Sequence, residues 1–348
     1  WEMSQDGFFG VFAQFPFDKS SYFISWILAL FYSLTDRSII MGQSFSLLFG
    51  MGSVLLGSRL AHKIWSEKAS IKVGWILALY PTLVLYSCLI LREAYVWFFL
   101  LVAIYGIVCW SKGEGFKGII ITFIGFSAAT FFHGGMFIGI FVFFAILIIT
   151  NFIKILKRIS YLKIPINSLA VLGFSIITII YLVLISDSIP KIGSLKNMIN
   201  FERLLIEISN RNKNMAAFPM WTIPKTEFEL IYKAPIRVIY FMFSPFLWDI
   251  KKIVHTLGLF DGMFHIMLFI LFIKNFKSIW SDQTLRIILI ILASYLIFYG
   301  LATGNFGTGL RHRTKFIIIS ILMVAPWIPR LVFFDKKQRN INNKKFDL

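Results

Sequence analysis

The sequence has little cysteine and no motif for nucleotide or zinc chemistry. Its two cysteines, Cys88 and Cys109, each lie inside an apolar run, so neither a disulfide framework nor a thiolate metal site is indicated. It contains no GxxxxGKS phosphate loop, no HExxH pair and no run of carboxylates suited to a divalent metal. The sequence therefore argues against ATP hydrolysis and zinc chemistry, and we expect neither a metal nor a cofactor.

Acidic residues are also scarce. The 17 Asp and Glu residues are outnumbered by 35 Lys and Arg residues, which gives a formal net charge of +18. In a soluble protein this excess would indicate nucleic-acid binding. Here the basic residues lie mostly between apolar runs, so we expect anionic membrane lipids and lipid-linked phosphates as partners, and no nucleic acid.

Long apolar runs dominate the rest of the chain, which is 58% hydrophobic. Because backbone groups must be hydrogen-bonded in lipid, these runs predict an all-α, polytopic membrane helical bundle of about nine to ten spans, with interfacial or re-entrant helices and one long outer-face loop. The predicted spans are 39–58, 73–91, 94–110, 117–132, 135–152, 168–186, 253–273, 285–301 and 316–333.

The spans divide the chain into five parts. These are an outer-face segment 1–38 with an interfacial helix at Ser21–Leu34, a first membrane part 39–186, a long outer loop 187–252, C-terminal membrane helices 253–334 and a basic tail 335–348. We also expect a first membrane helix to precede Trp1.

Orientation follows from the short basic loops, since Lys and Arg stay on the cytoplasmic side. This rule makes the loops 59–72, 111–117, 153–163 and 274–284 and the tail cytoplasmic. Arg92–Glu93, His133, the loop 187–252 and Thr303–Lys315 then share the outer face. The predicted C-terminus is therefore cytoplasmic, and the candidate residues face the other side of the membrane.

The long outer loop contains an amphipathic piece at Asn200–Asn210 and an apolar piece at 234–248 that Pro245 interrupts. Loops of this length are commonly lids or binding loops. Because proline breaks helices, we interpret 234–248 as a half-helix that enters the membrane surface rather than a span.

The stretch TGNFGTGLRHRTK at Thr303–Lys315 places a glycine-rich turn and four basic residues between two apolar runs. Glycines let a backbone approach a ligand, and arginines offer forked donors for phosphate oxygens. We interpret it as an anion site at the membrane surface. The alternative is a basic turn that only holds two helices at the headgroups.

Three further residues are candidates for chemistry. Arg92 and Glu93 lie between two apolar runs, where charged residues usually have partners or functions. Either Arg92 binds a substrate phosphate while Glu93 positions it or polarises an acceptor hydroxyl, or the two residues pair with each other at the headgroups. His133 in FHGG is a candidate base, or else an interfacial residue.

Two weaker signals complete the list. Asp6 is an acidic candidate in the N-terminal segment. Trp221, Tyr232, Tyr240 and Trp248 in the long loop either stack on sugar rings or belong to the aromatic belt at the membrane interface.

Several motifs together resemble Wzy-type polymerases of bacterial O-antigen and capsular polysaccharide, which are related in architecture to glycosyltransferases of the C superfamily. The motifs are LYPTLVLYSCLILREAYVWFFLL, the HGG at 133–135, RVIYFMFSPFLW at 237–248 and GNFGTGLRHRTKF at 304–316. Arg92–Glu93 matches an Arg-acidic pair, Ser244–Trp248 a Ser-Pro-x-x-Trp loop and Arg311–Arg313 an Arg-x-Arg pattern. Asp6 alone represents the paired acidic motif of C-type transferases.

The resemblance implies polymerisation of lipid-linked oligosaccharide repeat units by transfer from polyprenyl diphosphate, with a chain-length regulator protein as a further partner. It also implies a bacterial inner (plasma) membrane location with a periplasmic active face. It implies diphosphate binding by Arg92, Arg311, Arg313 and Arg237. Catalysis would involve His133, Glu93 or Asp6, and sugar binding would involve Trp221, Tyr232, Trp248 and His312. The alternatives are a C-type glycosyltransferase that uses a polyprenyl-monophosphate sugar, and a transporter or flippase of lipid-linked sugars.

Overall fold

The computed structural model describes residues 1–16, 22–159, 166–184, 201–212, 216–250 and 252–329. In these ranges the chain is helical, apart from connecting turns and one isolated antiparallel bridge between Ala217 and Asn305. The predicted boundaries near 187 and 335 and the basic tail lie outside the described residues. The prediction of an all-α protein is confirmed.

Fifteen α-helices occur in the described ranges. They are α1 (Gly7–Ala13), α2 (Phe23–Leu34), α3 (Ile39–Ile64), α4 (Glu67–Leu79), α5 (Pro81–Ser87), α6 (Glu93–Ser111), α7 (Phe116–Phe132), α8 (Phe137–Ile159), α9 (Ile166–Leu184), α10 (Phe201–Arg211), α11 (Glu227–Phe243), α12 (Val254–Lys274), α13 (Phe276–Ser281), α14 (Gln283–Ala302) and α15 (Phe306–Val324). Short 3₁₀ helices precede α8 at Gly134–Met136 and follow α11 at Leu247–Asp249.

Among the residues that the structure describes, five helical segments are long and apolar enough to cross a membrane: α3, α6, α8 with its 3₁₀ turn, α9 and α14. A sixth results if α4 and α5, bent by 61° at their junction, form one span. The chain is therefore a multi-pass membrane protein. The other predicted spans correspond to α7, α12 and α15, so the total of nine crossings remains a prediction.

The helix α6 lies at the centre of the core. Its Tyr95, Trp97 and Ile104 are buried, and it packs against α3, α7, α14 and α15. The approach of α7 is close because Gly106 has no side chain: a Cβ there would lie 2.4 Å from the backbone N of Thr122. This packing fixes the first residue of α6, Glu93, in the interior of the bundle.

The predicted span 73–91 is broken. Tyr80 has an extended backbone conformation and Pro81 occupies the first turn of α5, so α4 ends and α5 starts in a new direction. Because α5 ends at Ser87, residues 88–92 are left to lead into α6. Arg92 is the N-cap residue of α6.

The predicted glycine-rich turn at Thr303–Lys315 is mostly helix. Asn305 caps α15 by accepting a hydrogen bond at its Oδ1 from the Thr308 N–H, 2.8 Å away. In the described residues, positive φ angles occur at Gly7, Gly113 and Gly115, and not at the glycines of this stretch. The prediction of a glycine-rich turn is therefore wrong from Phe306 onward, and the basic residues at 311–315 lie on the helix α15.

Two pieces of the long loop form helices. The amphipathic prediction at Asn200–Asn210 corresponds to α10. Residues 234–243 of the apolar piece form the second half of α11, which starts earlier, at Glu227, because Thr226 caps it. Residues 244–248 follow the helix and lead into the 3₁₀ helix at Leu247–Asp249. This helix contains Pro235 and ends before Pro245, and it packs against α14.

Candidate functional site

The centre of the candidate site is an ion pair between Glu93 and Arg311. Arg311 donates from Nε to Oε1 of Glu93 at 2.6 Å and from Nη2 to Oε2 at 3.0 Å. Glu93 is completely buried, whereas 37% of the Arg311 side chain is exposed. The pair therefore joins the interior of the bundle to its surface, with the guanidinium on the open side.

Arg92 lies beside this pair without joining it. In the described residues its Nε is buried and has no hydrogen-bond partner, and no ion pair links it to Glu93. The charges of Glu93 and Arg311 both act on it, and burial lowers the pKa of its guanidinium. An arginine keeps its charge under such conditions. The alternative of an Arg92–Glu93 pair is thus wrong, because Glu93 pairs with Arg311.

Lys315 brings a third cation to the same place. It follows Arg311 by four residues on α15, so both lie on one face of the helix. Its side chain is completely buried, and its charge acts on Glu93. Its Nζ lies 2.7 Å from Nδ1 of His312. Fully buried lysines are rare unless the surroundings compensate their charge.

Two histidines from distant parts of the sequence meet at these cations. His133 follows α7, and its Nδ1 lies 2.9 Å from the Tyr299 hydroxyl. The rings of His133 and His312 are 5.5 Å apart, and Tyr299 lies 5.2 Å from His312. We call the seven residues Arg92, Glu93, His133, Tyr299, Arg311, His312 and Lys315 the cation cluster.

Charge does not balance inside the cation cluster. Three basic side chains, Arg92, Arg311 and Lys315, surround Glu93, the one carboxylate whose charge acts on Arg92 and Arg311 in the described residues. With Lys315 protonated, these side chains exceed the charge of Glu93 by two positive charges before either histidine is counted. Buried cations are stabilised when an anion shares their site. The arrangement is suited to a ligand that carries about two negative charges.

Arg313 has a different environment. It is 1% exposed and donates from Nε to Asp261 Oδ2 at 2.6 Å, while its Nη1 donates to the carbonyls of Met242 and Ser244. Its remaining nitrogen, Nη2, contacts Asp261 and the Gly258 carbonyl. The protein itself therefore satisfies this guanidinium, and we leave Arg313 out of the candidate anion site.

Asp261 was not among the candidates from the sequence. It accepts from Tyr80 and Arg313, and its backbone carbonyl lies 2.9 Å from Nδ1 of the buried His265. The available signal was a single aspartate within the apolar run 253–273, since an ionisable residue there usually has a partner. The network ties α12 to α15 and to the turn after α11.

Arg237 is also buried and lies apart from the cation cluster. Its Nη2 donates to the Thr303 carbonyl at 2.7 Å and to the Leu301 carbonyl at 3.3 Å. Burial lowers the pKa of Arg237 to about 10. A cation at the end of α14 complements the negative end of the helix dipole. In the described residues Nε and Nη1 of Arg237 are buried without a hydrogen-bond partner, so the protein satisfies this guanidinium only in part.

The aromatic candidates of the long loop fall into two places. Trp221 contacts Tyr240 at 6.0 Å between ring centroids, Tyr240 contacts Phe246 at 5.3 Å and Phe246 stacks on Trp248 at 4.9 Å. We call these four residues the aromatic patch, in which Trp221 and Trp248 are exposed. Tyr232 instead contacts Phe228, one turn away on α11, and is not part of the patch.

The remaining candidate, Asp6, lies in the N-terminal segment. It is exposed and accepts from Gln14 Nε2 at 2.6 Å. The segment itself reaches the end of α7, where Phe23 lies 4.9 Å from Phe132, the residue before His133. In the described residues no contact joins Asp6 to the cation cluster.

The sequence reasoning missed Tyr299 and Lys315 as members of the site. A weak signal for Tyr299 was its spacing of four from Tyr295 within an apolar helix, which places both hydroxyls on one face. Tyr295 donates to the Met136 carbonyl at 2.8 Å and so holds the segment that carries His133. Lys315 was recognised only as part of the basic stretch.

In the described part of the chain, no group of three or more His, Cys, Asp or Glu side chains is placed to hold a metal ion. Comparison of the chain with protein-family models, with curated proteins and with solved structures finds no match. A functional assignment therefore has to be argued from the geometry of the cation cluster.

Proposed function

We propose that the cation cluster binds the diphosphate of a lipid-linked oligosaccharide and that the protein is a membrane glycosyltransferase that polymerises such repeat units. The carrying observation is the surplus of positive charge: Arg92, Arg311 and Lys315 surround one carboxylate. The motifs that resemble Wzy-type polymerases include Arg92–Glu93, His133 and Arg311. These four residues lie in the same cluster.

The reaction transfers a growing glycan from its polyprenyl diphosphate to the sugar of another lipid-linked repeat unit on the periplasmic face. An acceptor hydroxyl forms a bond to the anomeric carbon, and the bond from that carbon to the diphosphate oxygen breaks. The leaving diphosphate keeps the electron pair. Cations that are already positioned stabilise this developing charge, which is the role we assign to Arg92, Arg311 and Lys315.

The proton of the acceptor hydroxyl needs a base. Both carboxylate oxygens of Glu93 accept from Arg311, which favours a positioning role for Glu93. His133 is the better candidate, because its Nδ1 is held by Tyr299. In the tautomer where Nδ1–H donates to Tyr299, the lone pair on Nε2 takes the proton. Polyprenyl diphosphate with its charge partly neutralised then leaves.

The aromatic patch supports a sugar-binding role for the segment around α11. Exposed, flat rings such as Trp221 and Trp248 suit the apolar faces of sugars. The patch is linked to the start of α15, since Tyr240 and Phe306 belong to one buried cluster. Sugars bound there would lie along the helix that carries Arg311.

The direct test is to incubate the purified full-length protein in lipid nanodiscs with a polyprenyl-diphosphate-linked repeat unit and a chelator. We expect a ladder of longer glycans, its loss in Arg311→Gln and its retention in Arg286→Gln, a control on α14. Arg286 contacts the Trp280 carbonyl rather than the cation cluster.

Two other outcomes would replace this proposal. Transfer from a polyprenyl-monophosphate sugar, seen only when metal is restored, would indicate a C-type glycosyltransferase. If neither substrate is converted but lipid-linked sugar crosses the membrane of proteoliposomes, the protein is a transporter or flippase.

A further inference from the structure

An apolar groove of about 370 Å³ lies between α3, the α4–α5 bend, α6 and α15. Its lining is almost entirely hydrocarbon and includes Leu55, Val84, Trp97 and Ile318. The volume is in the range of small-molecule sites, which are about 300–1,000 Å³. The functional assignment above does not use this groove.

The groove and the cation cluster are continuous along two helices. On α6, Trp97 in the groove follows Glu93 in the cluster by four residues, so the two share a helix face about 6 Å apart. On α15, Ile318 follows Arg311 by seven residues, which is two turns on the same face. The groove therefore starts about one turn from the charged site along α6 and about two turns from it along α15.

The helix α5 also links the groove to the cation cluster. The charges of Glu93 and Arg311 both act on Tyr86, and the next residue, Ser87, lines the groove. The approach of α5 to α3 is close at this end, since a Cβ at Gly50 would lie 2.5 Å from Cβ of Ser87. Charge and groove are thus neighbours on three separate helices.

The groove opens toward the side of the bundle. The groove lies where α4 and α5 bend by 61°, and residues of both helices line it. Met51 and Leu55 of α3 and Val84 of α5 line the groove and are exposed. Because α3 is a candidate membrane span, these side chains face hydrocarbon, and a lipid chain can enter from the bilayer.

We propose that this groove holds the part of the polyprenyl chain next to the diphosphate that the cation cluster binds. The inference rests on the proposed function and deepens it. A cationic site one helical turn from an apolar groove complements an amphiphile with an anionic head and a hydrocarbon tail. Bilayer lipid is as apolar as the groove, so the groove acts through packing rather than a hydrophobic driving force. Its effect is to fix the lipid relative to His133.

Photolabelling tests the position of the chain. The probe is a polyprenyl diphosphate with a diazirine in the isoprene units nearest the phosphates, bound to the full-length protein in nanodiscs. We expect labels on the peptides that contain Met51, Leu55 and Val84, and their loss on addition of unlabelled polyprenyl diphosphate. We also expect the labelling to require Arg311.

A matched pair of variants tests the role of the groove. Leu55 lines the groove and is 65% exposed, whereas Leu48, also on α3, is 62% exposed and lies outside the groove. In Leu55→Trp the larger ring fills the groove, and we expect labelling and transfer to fall about fivefold, as for the loss of about 1 kcal/mol of packing. Leu48→Trp should match the wild type.

Binding of inorganic diphosphate distinguishes a failure of the groove assignment from a failure of the proposed function. Its binding should be unchanged in Leu55→Trp and should be lost in Arg311→Gln. If it binds as expected but the labels fall elsewhere, or if Leu55→Trp and Leu48→Trp behave alike, the groove assignment is wrong and the proposed function stands. If inorganic diphosphate does not bind to the wild type, both fail.

The hydrocarbon chain of an ordinary membrane lipid is the other possible occupant of the groove. A diazirine-labelled phosphatidic acid, a lipid with two chains, serves as the comparison. Equal labelling of the groove by this lipid, without displacement by polyprenyl diphosphate, would show that the groove takes bulk lipid, and it would overturn the inference.

Discussion

Arg311 and Arg313 are two residues apart on α15, yet their surroundings are opposite. Arg311 is 37% exposed, pairs with Glu93 of α6 and lies in the cation cluster. Arg313 is 1% exposed and is hydrogen-bonded to Asp261 and to backbone carbonyls. Residues two apart on a helix point to nearly opposite sides. The Arg-x-Arg pattern therefore combines a candidate ligand-binding arginine with a structural arginine, rather than one clamp of two.

Substitution of Arg313, the structural arginine, should have a large effect on stability. Arg313→Met leaves the carboxylate of Asp261 buried without its main partner, so we expect a loss of about 3–5 kcal/mol in the free energy of unfolding. Denaturant unfolding of the purified protein in detergent measures it. Replacing both members, as in Arg313→Met with Asp261→Leu, should restore much of the stability. A small loss in the single variant would contradict the structural role.

A substitution at His133 tests its proposed role as the base in the cation cluster. His133→Gln keeps a polar side chain beside Tyr299 but removes the base, so we expect transfer to fall by about a hundredfold or more while diphosphate binding is retained. Single-turnover transfer and competition by inorganic diphosphate measure the two quantities. His62→Gln, at the exposed end of α3, serves as the control. An equal loss of binding and transfer would assign His133 to binding alone.

The substitution Arg311→Lys tests the partly exposed arginine of the pair. The charge remains but the fork that contacts both oxygens of Glu93 is lost, and we expect diphosphate binding to weaken by about thirtyfold. Unfolding stability should change less than in Arg313→Met, because Arg311 is partly exposed. The corresponding control, Arg286→Lys, should bind normally. If lysine at 311 supports normal binding, the site recognises charge without the forked geometry.

The smallest expected effect concerns the aromatic patch. Trp248→Leu removes a flat, exposed ring, and we expect the KM for the acceptor repeat unit to rise about fivefold, with kcat little changed. Trp75→Leu is a suitable control, since Trp75 is similarly exposed on α4, away from the patch. A normal KM would indicate that Trp248 belongs to the aromatic belt of the membrane interface and does not bind sugar.

Much of the candidate site was predictable from charge and position. A charged pair at Arg92–Glu93 and a basic stretch at Arg311 interrupt apolar runs, and the basic-loop rule assigned them to one face together with His133. The structure brings these residues together. The ion pair was not predictable, because Glu93 pairs with Arg311, 218 positions away, rather than with its neighbour Arg92.

The class of the protein follows from its sequence alone, because the length and apolarity of its runs permit only helices that hydrogen-bond internally in a membrane. The sequence also reveals which residues carry unusual charge in those runs. By contrast, the exposure of Arg311, the burial of Arg313 and the presence of Lys315 and Tyr299 in the cation cluster depend on how the helices pack. Helical periodicity is local, whereas the partner of each face depends on how α6, α12, α14 and α15 pack.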